Sequence, residues 1–123
     1  MVKMIITFCG IPACGKTTVA EKLVRKLNEF GASHKLLVSD KVSNRVYEKI
    51  FRFLRNNIDE VRYLIVDATF YKKKWRSEVQ RIARENDEEL STVYLHCDLE
   101  TSLRRNEQRE KKEQVSEKVI RII

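Results

Sequence analysis

Short apolar runs alternate along the chain with longer stretches in which apolar residues recur every three or four positions. Such runs are typical of strands buried on both faces, and the longer spacing is typical of amphipathic helices. The runs predict strands at residues 4–9, 35–39, 63–66 and 92–96. The periodic stretches predict helices at residues 16–30, 41–57, 72–86 and 99–110, and a last helix from about Val115. This alternation predicts an α/β fold with about four parallel strands and helices on both faces of the sheet.

Each predicted helix carries an apolar face that should pack on the sheet. In the first helix this face contains Val19, Ala20, Leu23, Leu27 and Phe30. In the second it contains Val42, Val46, Ile50 and Leu54. In the third it contains Trp75, Val79 and either Ile82 or Ala83.

The length of 123 residues predicts a single domain spanning residues 1–123. No apolar run approaches the roughly 18 residues of a membrane-spanning helix, and the N-terminal run is interpreted as a strand rather than a signal peptide. The three cysteines, Cys9, Cys14 and Cys97, form no CxxC pair. They therefore indicate a reducing, cytoplasmic location rather than a disulfide framework.

The net charge of +7 favours a polyanionic partner such as a nucleotide or tRNA. Four cations are concentrated at the start of the third helix, namely Lys72, Lys73, Lys74 and Arg76. Cations at a helix N-terminus are unfavourable because the helix dipole is positive there. This local conflict favours a role in binding substrate phosphates or an RNA backbone.

The residues that follow the first strand match G-x-x-x-x-G-K-[ST], the phosphate-binding P-loop. In such a loop, backbone N–H groups cradle the phosphates, the lysine reaches the terminal phosphates and the hydroxyl ligates Mg²⁺. The alternative is a turn that happens to contain glycine. The strand before the motif and the helix after it favour a three-layer P-loop NTPase fold that binds ATP and Mg²⁺. The predicted nucleotide-binding residues are Gly10, Ile11, Pro12, Ala13, Cys14, Gly15, Lys16, Thr17 and Thr18.

Two aspartates fall at the carboxyl ends of predicted strands, where parallel sheets bind their ligands. Asp40 follows the second strand and Asp67 follows the third. Together with Thr17 they predict a Mg²⁺ site, partly through water, and one of them could orient an attacking hydroxyl. The alternatives are that Asp40 caps the helix at residues 41–57 and that Asp67 is a turn residue.

Three arginines lie on the helix after the fourth strand, and two of them, Arg105 and Arg109, share a face at i,i+4 spacing. Residues 99–114 could form a lid whose arginines stabilise charge in the transition state. The alternative is a solvated helix face on which arginines pair with Glu107 and Glu110.

Taken in order, these motifs resemble those of archaeal L-seryl-tRNA(Sec) kinase. They are the P-loop, Ser39-Asp40, Asp67-Ala68-Thr69-Phe70-Tyr71 with Arg76, and Leu103-Arg104-Arg105-Asn106 with Arg109. The chain is also similar to adenylylsulfate-kinase-like and Kti12-like P-loop proteins. The resemblance implies that Lys16, Asp40, Asp67, Arg105 and Arg109 are catalytic.

The chain departs from the family pattern at Ala68 and Phe70, where the family has aspartate and asparagine. The resemblance suggests a shortened form that lacks the last strand and the tRNA-holding C-terminal region. The apolar residues Ile120, Ile122 and Ile123 then suggest a homodimer formed through the C-terminal helix.

The leading hypothesis is ATP-dependent phosphoryl transfer to a hydroxyl acceptor, with seryl-tRNA as the first candidate. One alternative is a small-molecule kinase acting on adenylylsulfate or a nucleoside. Another is a Kti12-like module that hydrolyses ATP while associated with tRNA, and a further one is an inactive remnant.

Overall fold

The computed structural model describes residues 3–10, 15–42, 44–96 and 99–108, and strands and α-helices alternate within these residues. The strands are β1 (Met4–Cys9), β2 (His34–Val38), β3 (Tyr63–Asp67) and β4 (Glu89–Tyr94). The helices are α1 (Lys16–Glu29), α2 (Val46–Asn57), α3 (Lys73–Glu85) and α4 (Leu99–Glu107). A short 3₁₀ turn, Ser39–Lys41, follows β2.

The four strands form one parallel sheet in the order β2-β3-β1-β4. The predicted parallel α/β sheet is therefore confirmed. In the register, Phe8 of β1 lies beside Asp67 of β3, which in turn lies beside Val38 of β2. The carboxyl ends of these three strands thus meet at one edge of the sheet, where open α/β folds place their ligands.

Helices cover both faces of the sheet, and each face has its own apolar cluster. On one face, Ile5 and Leu64 of the sheet pack with Ile50 of α2 and Ile82 of α3. On the other face, Ile6, Phe8 and Ile65 pack with Ala20 and Leu27 of α1. This arrangement explains the continuous apolar runs of β1 and β3, because both faces of a central strand are buried.

The structure corrects two predicted element boundaries. The second helix begins at Val46 rather than at residue 41, because residues 39–41 form the 3₁₀ turn, Val42 is extended and Arg45 is left-handed. The fourth strand spans Glu89–Tyr94 rather than residues 92–96, because all six of its residues pair with β1. Pairing with a neighbour, rather than the apolar content of the segment, determines this edge strand.

Two residues of the predicted apolar face of α1 are not in the core. Phe30 is the C-cap and is 81% exposed, and Val19 is 37% exposed. In α3, by contrast, Val79, Ile82 and Ala83 are all buried. The predicted helix from Val115, and with it the predicted dimer contact, lies outside the described residues. In the part of the chain that the structure does describe, no helix has both the length and the apolarity to cross a membrane.

Candidate active site

Gly10 and Gly15 give the loop after β1 a backbone path that other residues could not follow easily. Their φ angles are +152° and +93°, in the region that L-residues with a Cβ rarely adopt. At Gly10 a Cβ would also lie 2.5 Å from the carbonyl oxygen of Leu95, which follows β4. The remaining predicted loop residues Ile11, Pro12, Ala13 and Cys14 lie outside the described part of the chain.

Lys16, the first residue of α1, is buried although it is a lysine, with only 8% of its surface exposed. Its Nζ donates a hydrogen bond to the Gly10 carbonyl oxygen at 2.9 Å. The ammonium group is therefore held across the loop. The N-cap of α1 is Gly15, which has no side chain to accept a hydrogen bond, and the first turn contains no acidic residue. A helix N-terminus of this kind and a buried cation together favour an anion at this position.

Thr17 and Asp67 are in direct contact at the edge of the sheet. The Thr17 hydroxyl donates a hydrogen bond to Oδ2 of Asp67 at 2.6 Å. Asp67 is the last residue of β3 and is only 2% exposed, which contradicts the alternative that it is a turn residue. The next residue stays aligned with the sheet, because the Ala68 N–H donates to the Phe8 carbonyl.

This hydroxyl–carboxylate pair suits a magnesium ion, which prefers oxygen ligands and often takes one or two carboxylates together with nucleotide phosphates. P-loop NTPases hold Mg²⁺ with a serine or threonine hydroxyl of the loop and an aspartate carboxylate at the end of a strand. Thr17 and Asp67 could therefore contact Mg²⁺ directly. In the part of the chain that the structure describes, no cluster of three or more acidic, histidine or cysteine side chains forms a separate metal site.

Asp40 lies in the 3₁₀ turn directly after β2, two residues beyond the Val38 that pairs with Asp67. The register therefore brings Asp40 to the same edge of the sheet as Asp67. It is exposed, whereas Asp67 is buried. The alternative that Asp40 caps α2 is wrong, because α2 begins six residues later at Val46 with Arg45 as its N-cap.

The turn between β3 and α3 contains a strained residue that the sequence does not indicate. Phe70 has a φ of +48°, although its side chain is large and 2% exposed. Its N–H donates to the Tyr47 hydroxyl at 2.9 Å, and its carbonyl accepts a hydrogen bond from Arg76 Nη1 at 2.6 Å. Side chains from α2 and α3 thus hold both backbone groups of this residue.

Burial changes the acid–base properties of two groups beside this turn. Burial raises the pKa of Tyr47 to about 12, although the hydrogen bond from Phe70 acts in the opposite direction. Burial also raises the pKa of the Cys9 thiol, against smaller opposing effects of Thr7, Lys16 and Arg76. Cys9 is therefore a buried neutral thiol rather than a nucleophile.

The basic residues at the start of α3 have two different environments. Lys72, Lys73 and Lys74 are exposed, as a phosphate-binding role requires. Arg76 is half-buried, and its hydrogen bond to Phe70 gives it a structural role that the sequence analysis does not predict. Its burial and this bond argue against counting it with the three lysines as a phosphate contact.

Helix α4 carries the arginines of the predicted lid. Its buried face contains two polar residues one turn apart, Ser102 and Asn106. Arg104 and Arg105 are exposed, and Arg104 Nη2 lies 3.5 Å from the Thr101 hydroxyl. Arg109 lies outside the described residues. That it shares a helix face with Arg105 therefore stays a prediction.

A cavity of about 260 Å³ lies between α3 and the neighbouring strands β1 and β4. Thr7, Cys9, Arg76, Thr92 and Tyr94 are among its lining residues. Ligand pockets usually measure roughly 300–1,000 Å³, so this space is small for a nucleotide.

The sheet order, the glycine loop, the buried lysine and the Thr17–Asp67 pair define a P-loop NTPase domain of the kinase type. Comparison with protein families agrees, since residues 5–122 match the model of an AAA domain family. The chain belongs to this AAA domain family.

Relatives and solved structures give the same class. The chain is 28% identical over 120 aligned positions to the L-seryl-tRNA(Sec) kinase of Methanococcus maripaludis, an alignment that covers 89% of this chain and 47% of that protein. The chain thus spans about half the length of this curated relative.

Two solved structures share the fold at low sequence identity. The Mycobacterium tuberculosis APS kinase CysC, in complex with AMPPNP and APS, has a TM-score of 0.71 and 21% identity over 85% of this chain and 69% of that one. The Chaetomium thermophilum Kti12 in complex with ADP-AlF3 has a TM-score of 0.73 and 17% identity, with 96% of this chain and 77% of that one covered. At these identities the likeness shows the fold.

Proposed function

We propose that this domain binds ATP with Mg²⁺ and transfers the γ-phosphoryl group to a hydroxyl acceptor. The observation that carries the proposal is the 2.6 Å hydrogen bond between Thr17 and the buried Asp67, next to Lys16 at the loop. A hydroxyl, a carboxylate and a lysine at the end of a P-loop are the groups that phosphoryl transfer requires. The solved relatives bound to AMPPNP and to ADP-AlF3 support a nucleotide as the ligand.

Each residue has a defined role in this proposal. Lys16 would exchange its hydrogen bond to the Gly10 carbonyl for one to the terminal phosphates. Thr17 and Asp67 would hold Mg²⁺, which would supply positive charge beside those phosphates. Asp40 orients the acceptor hydroxyl or accepts its proton, or holds Mg²⁺ through water. Arg105 and Arg109 act from the lid on charge that develops in the transition state. The acceptor oxygen forms a bond to the γ-phosphorus as the bond to ADP breaks.

Seryl-tRNA is the leading candidate acceptor. The relative with that activity in its name aligns with 89% of this chain, and Lys72, Lys73 and Lys74 offer cations for an RNA backbone. The compartment that this proposal implies is the cytoplasm. A Kti12-like ATP hydrolysis coupled to tRNA binding is the second candidate, favoured by the 96% of this chain that aligns with Kti12. An APS-type small acceptor is the third.

ATP turnover by the purified chain tests the proposal, measured alone, with bulk tRNA and with small hydroxyl compounds. Asp67→Asn and Asp40→Asn should each lower turnover by a factor of ~10² while ATP binding is retained, the usual scale for losing a positioned catalytic group. Glu21→Gln, an exposed substitution on α1, is the matched control. Full turnover in both aspartate variants would contradict the assignment. Phosphate released without a phosphorylated acceptor would favour the Kti12-like alternative.

A further inference from the structure

Three aromatic rings pack together at the junction of α2, α3 and the Phe70 turn. The rings of Tyr47 and Trp75 are stacked, with centroids 3.6 Å apart and planes 8° apart. Tyr71 meets Trp75 edge-on at 4.9 Å and 90°. Tyr71 is 42% exposed, whereas Tyr47 and Trp75 are half-buried. Tyr71 is therefore the outermost ring of a rigid aromatic cluster.

One lysine lies over these rings, and two more follow it along the chain. Lys72 Nζ lies 5.0 Å from the centroid of Trp75 and 6.0 Å from that of Tyr71. Lys73 and Lys74 are exposed, and within the described ranges neither forms an ion pair. We call Tyr71, the three lysines and Trp75 the Tyr71 platform.

The stability of α3 does not explain why lysines are concentrated at its N-terminus. The first turn of α3 contains no acidic residue, and cations are unfavourable at the positive end of a helix dipole. The ion pairs of α3 are formed further along the helix, where Glu78 pairs with Arg55 and Arg81, and Arg81 with Glu85. The lysines of the platform therefore favour an external anion.

The platform follows the strand that ends at Asp67 closely along the chain. Tyr71 is four residues beyond Asp67, and the residue before it is fixed by its bonds to Tyr47 and Arg76. The intervening segment has little freedom to move the ring away. A molecule that stacks on Tyr71 would thus be held four residues beyond Asp67, the last residue of β3.

We propose that the Tyr71 platform binds an unpaired nucleobase of a single-stranded RNA end. The base stacks on the Tyr71 ring and the adjoining phosphates contact Lys73 and Lys74. Alternating aromatic rings and cations are the features by which proteins hold single strands. The inference rests on the proposed function only in that this RNA would carry the acceptor hydroxyl.

The openness of the platform favours RNA over a free nucleotide. Pockets for small molecules enclose most of the surface of their ligand, whereas Tyr71 itself is 42% exposed. A single stacked base with one phosphate would make few contacts there and bind weakly. A strand with several phosphates gains further contacts to the lysines.

Binding can be measured without ATP, so that its outcome is independent of phosphoryl transfer. The probes are a labelled single-stranded oligoribonucleotide, an abasic strand of the same length and charge, and the mononucleotide. Fluorescence anisotropy gives the affinities of the strands. Quenching of Trp75, the only tryptophan in the chain, shows whether binding occurs at the platform.

We expect the base-bearing strand to bind roughly tenfold more tightly than the abasic strand, within the range measured for one stacked base. Tyr71→Ala should abolish this difference, and Tyr71→Phe should preserve it. Phe30→Ala, which removes an aromatic side chain that is 81% exposed, is the matched control and should change nothing. Lys73→Ala and Lys74→Ala should each lower the slope of log affinity against log salt concentration by the amount expected for about one phosphate contact.

Three outcomes would overturn the inference. Equal binding of the abasic strand would mean that only phosphates are recognised. A mononucleotide that binds as tightly as the strand would mean that a small ligand occupies the site. An unchanged preference in folded Tyr71→Ala would place the base elsewhere. None of these results depends on whether the domain turns over ATP.

Discussion

At the scale of single residues, Gly10 excludes a side chain for two separate reasons. Its φ of +152° strains any residue with a Cβ, and the Leu95 carbonyl oxygen would lie 2.5 Å from that atom. Gly15 has only the first constraint, because within the described residues no atom beyond its chain neighbours would lie within 4 Å of its Cβ. The two glycines of one motif therefore differ in how closely the fold encloses them.

Gly10→Ala should destabilise the protein more than Gly15→Ala. Backbone strain costs of order 1–3 kcal/mol at either position, and at Gly10 the backbone after β4 must also move. Thermal or urea unfolding of both variants without nucleotide measures the difference. Gly31→Ala, with a φ of +66° and open space, is the control for strain alone. Equal losses at Gly10 and Gly15 would show that the contact with Leu95 relaxes freely.

At the scale of elements, the turn from β3 to α3 depends on two side chains from different helices. Tyr47 of α2 accepts the hydrogen bond from the Phe70 N–H, and its ring also packs edge-on against the Phe70 ring at 5.4 Å. Arg76 of α3 holds the Phe70 carbonyl. Because Phe70 is strained, the turn keeps this shape only while its surroundings over-determine it.

Tyr47→Phe should destabilise the fold by about 1–3 kcal/mol, because it leaves a buried N–H without its partner. The stability of this variant should also depend less on pH in alkaline solution than the stability of the wild type. The pKa of Tyr47 is raised from 10.0 to about 12 by burial, so its neutral hydroxyl stabilises the fold fully below pH 10. That contribution is lost as the pH rises from 10 to 12.

Urea unfolding at several pH values between 8 and 12 measures this effect, and absorbance of the phenolate follows the titration directly. Tyr63→Phe, a half-buried tyrosine on β3, is the control. Parallel pH profiles of the wild type and Tyr47→Phe would contradict the assignment of the raised pKa to Tyr47.

At the scale of the whole molecule, the sheet order brings together groups that are distant in sequence. Thr17 and Asp67 are 50 residues apart and are in hydrogen-bond contact. Parallel strands β1 and β3 lie side by side, so the loop after one and the carboxylate at the end of the other share an edge. A nucleotide bound there would connect α1 to β3 and stabilise both.

ATP with Mg²⁺ should therefore raise the unfolding temperature of the wild type. Saturation at a hundred times Kd corresponds to about 2.7 kcal/mol of added stability. Lys16→Met keeps the apolar volume of this buried side chain and removes the ammonium group, so the stabilisation should largely disappear. Lys22→Met, an exposed substitution on α1, should keep it. Differential scanning calorimetry with and without nucleotide decides between these outcomes, and an undiminished shift in folded Lys16→Met would place the phosphates elsewhere.

Local patterns in the sequence were sufficient for the order of the described elements and for the P-loop class of the domain. Apolar runs and helical periodicity depend on neighbouring residues, and the loop motif is contiguous from Gly10 to Thr17. The same patterns misplaced the start of α2 and the limits of β4, because a turn and the pairing with β1 decide those boundaries. They also assigned Phe30 to the core, although α1 ends before it.

Only the tertiary structure decided which distant side chains meet. The hydrogen bond from Thr17 to Asp67 depends on the order of the strands. The hydrogen bonds of Tyr47 and Arg76 to the Phe70 backbone depend on how α2 and α3 pack. No local pattern encodes a positive φ at a phenylalanine, because the energy that maintains it comes from residues elsewhere in the chain. Sequence thus determined the class of the site, and packing determined its geometry.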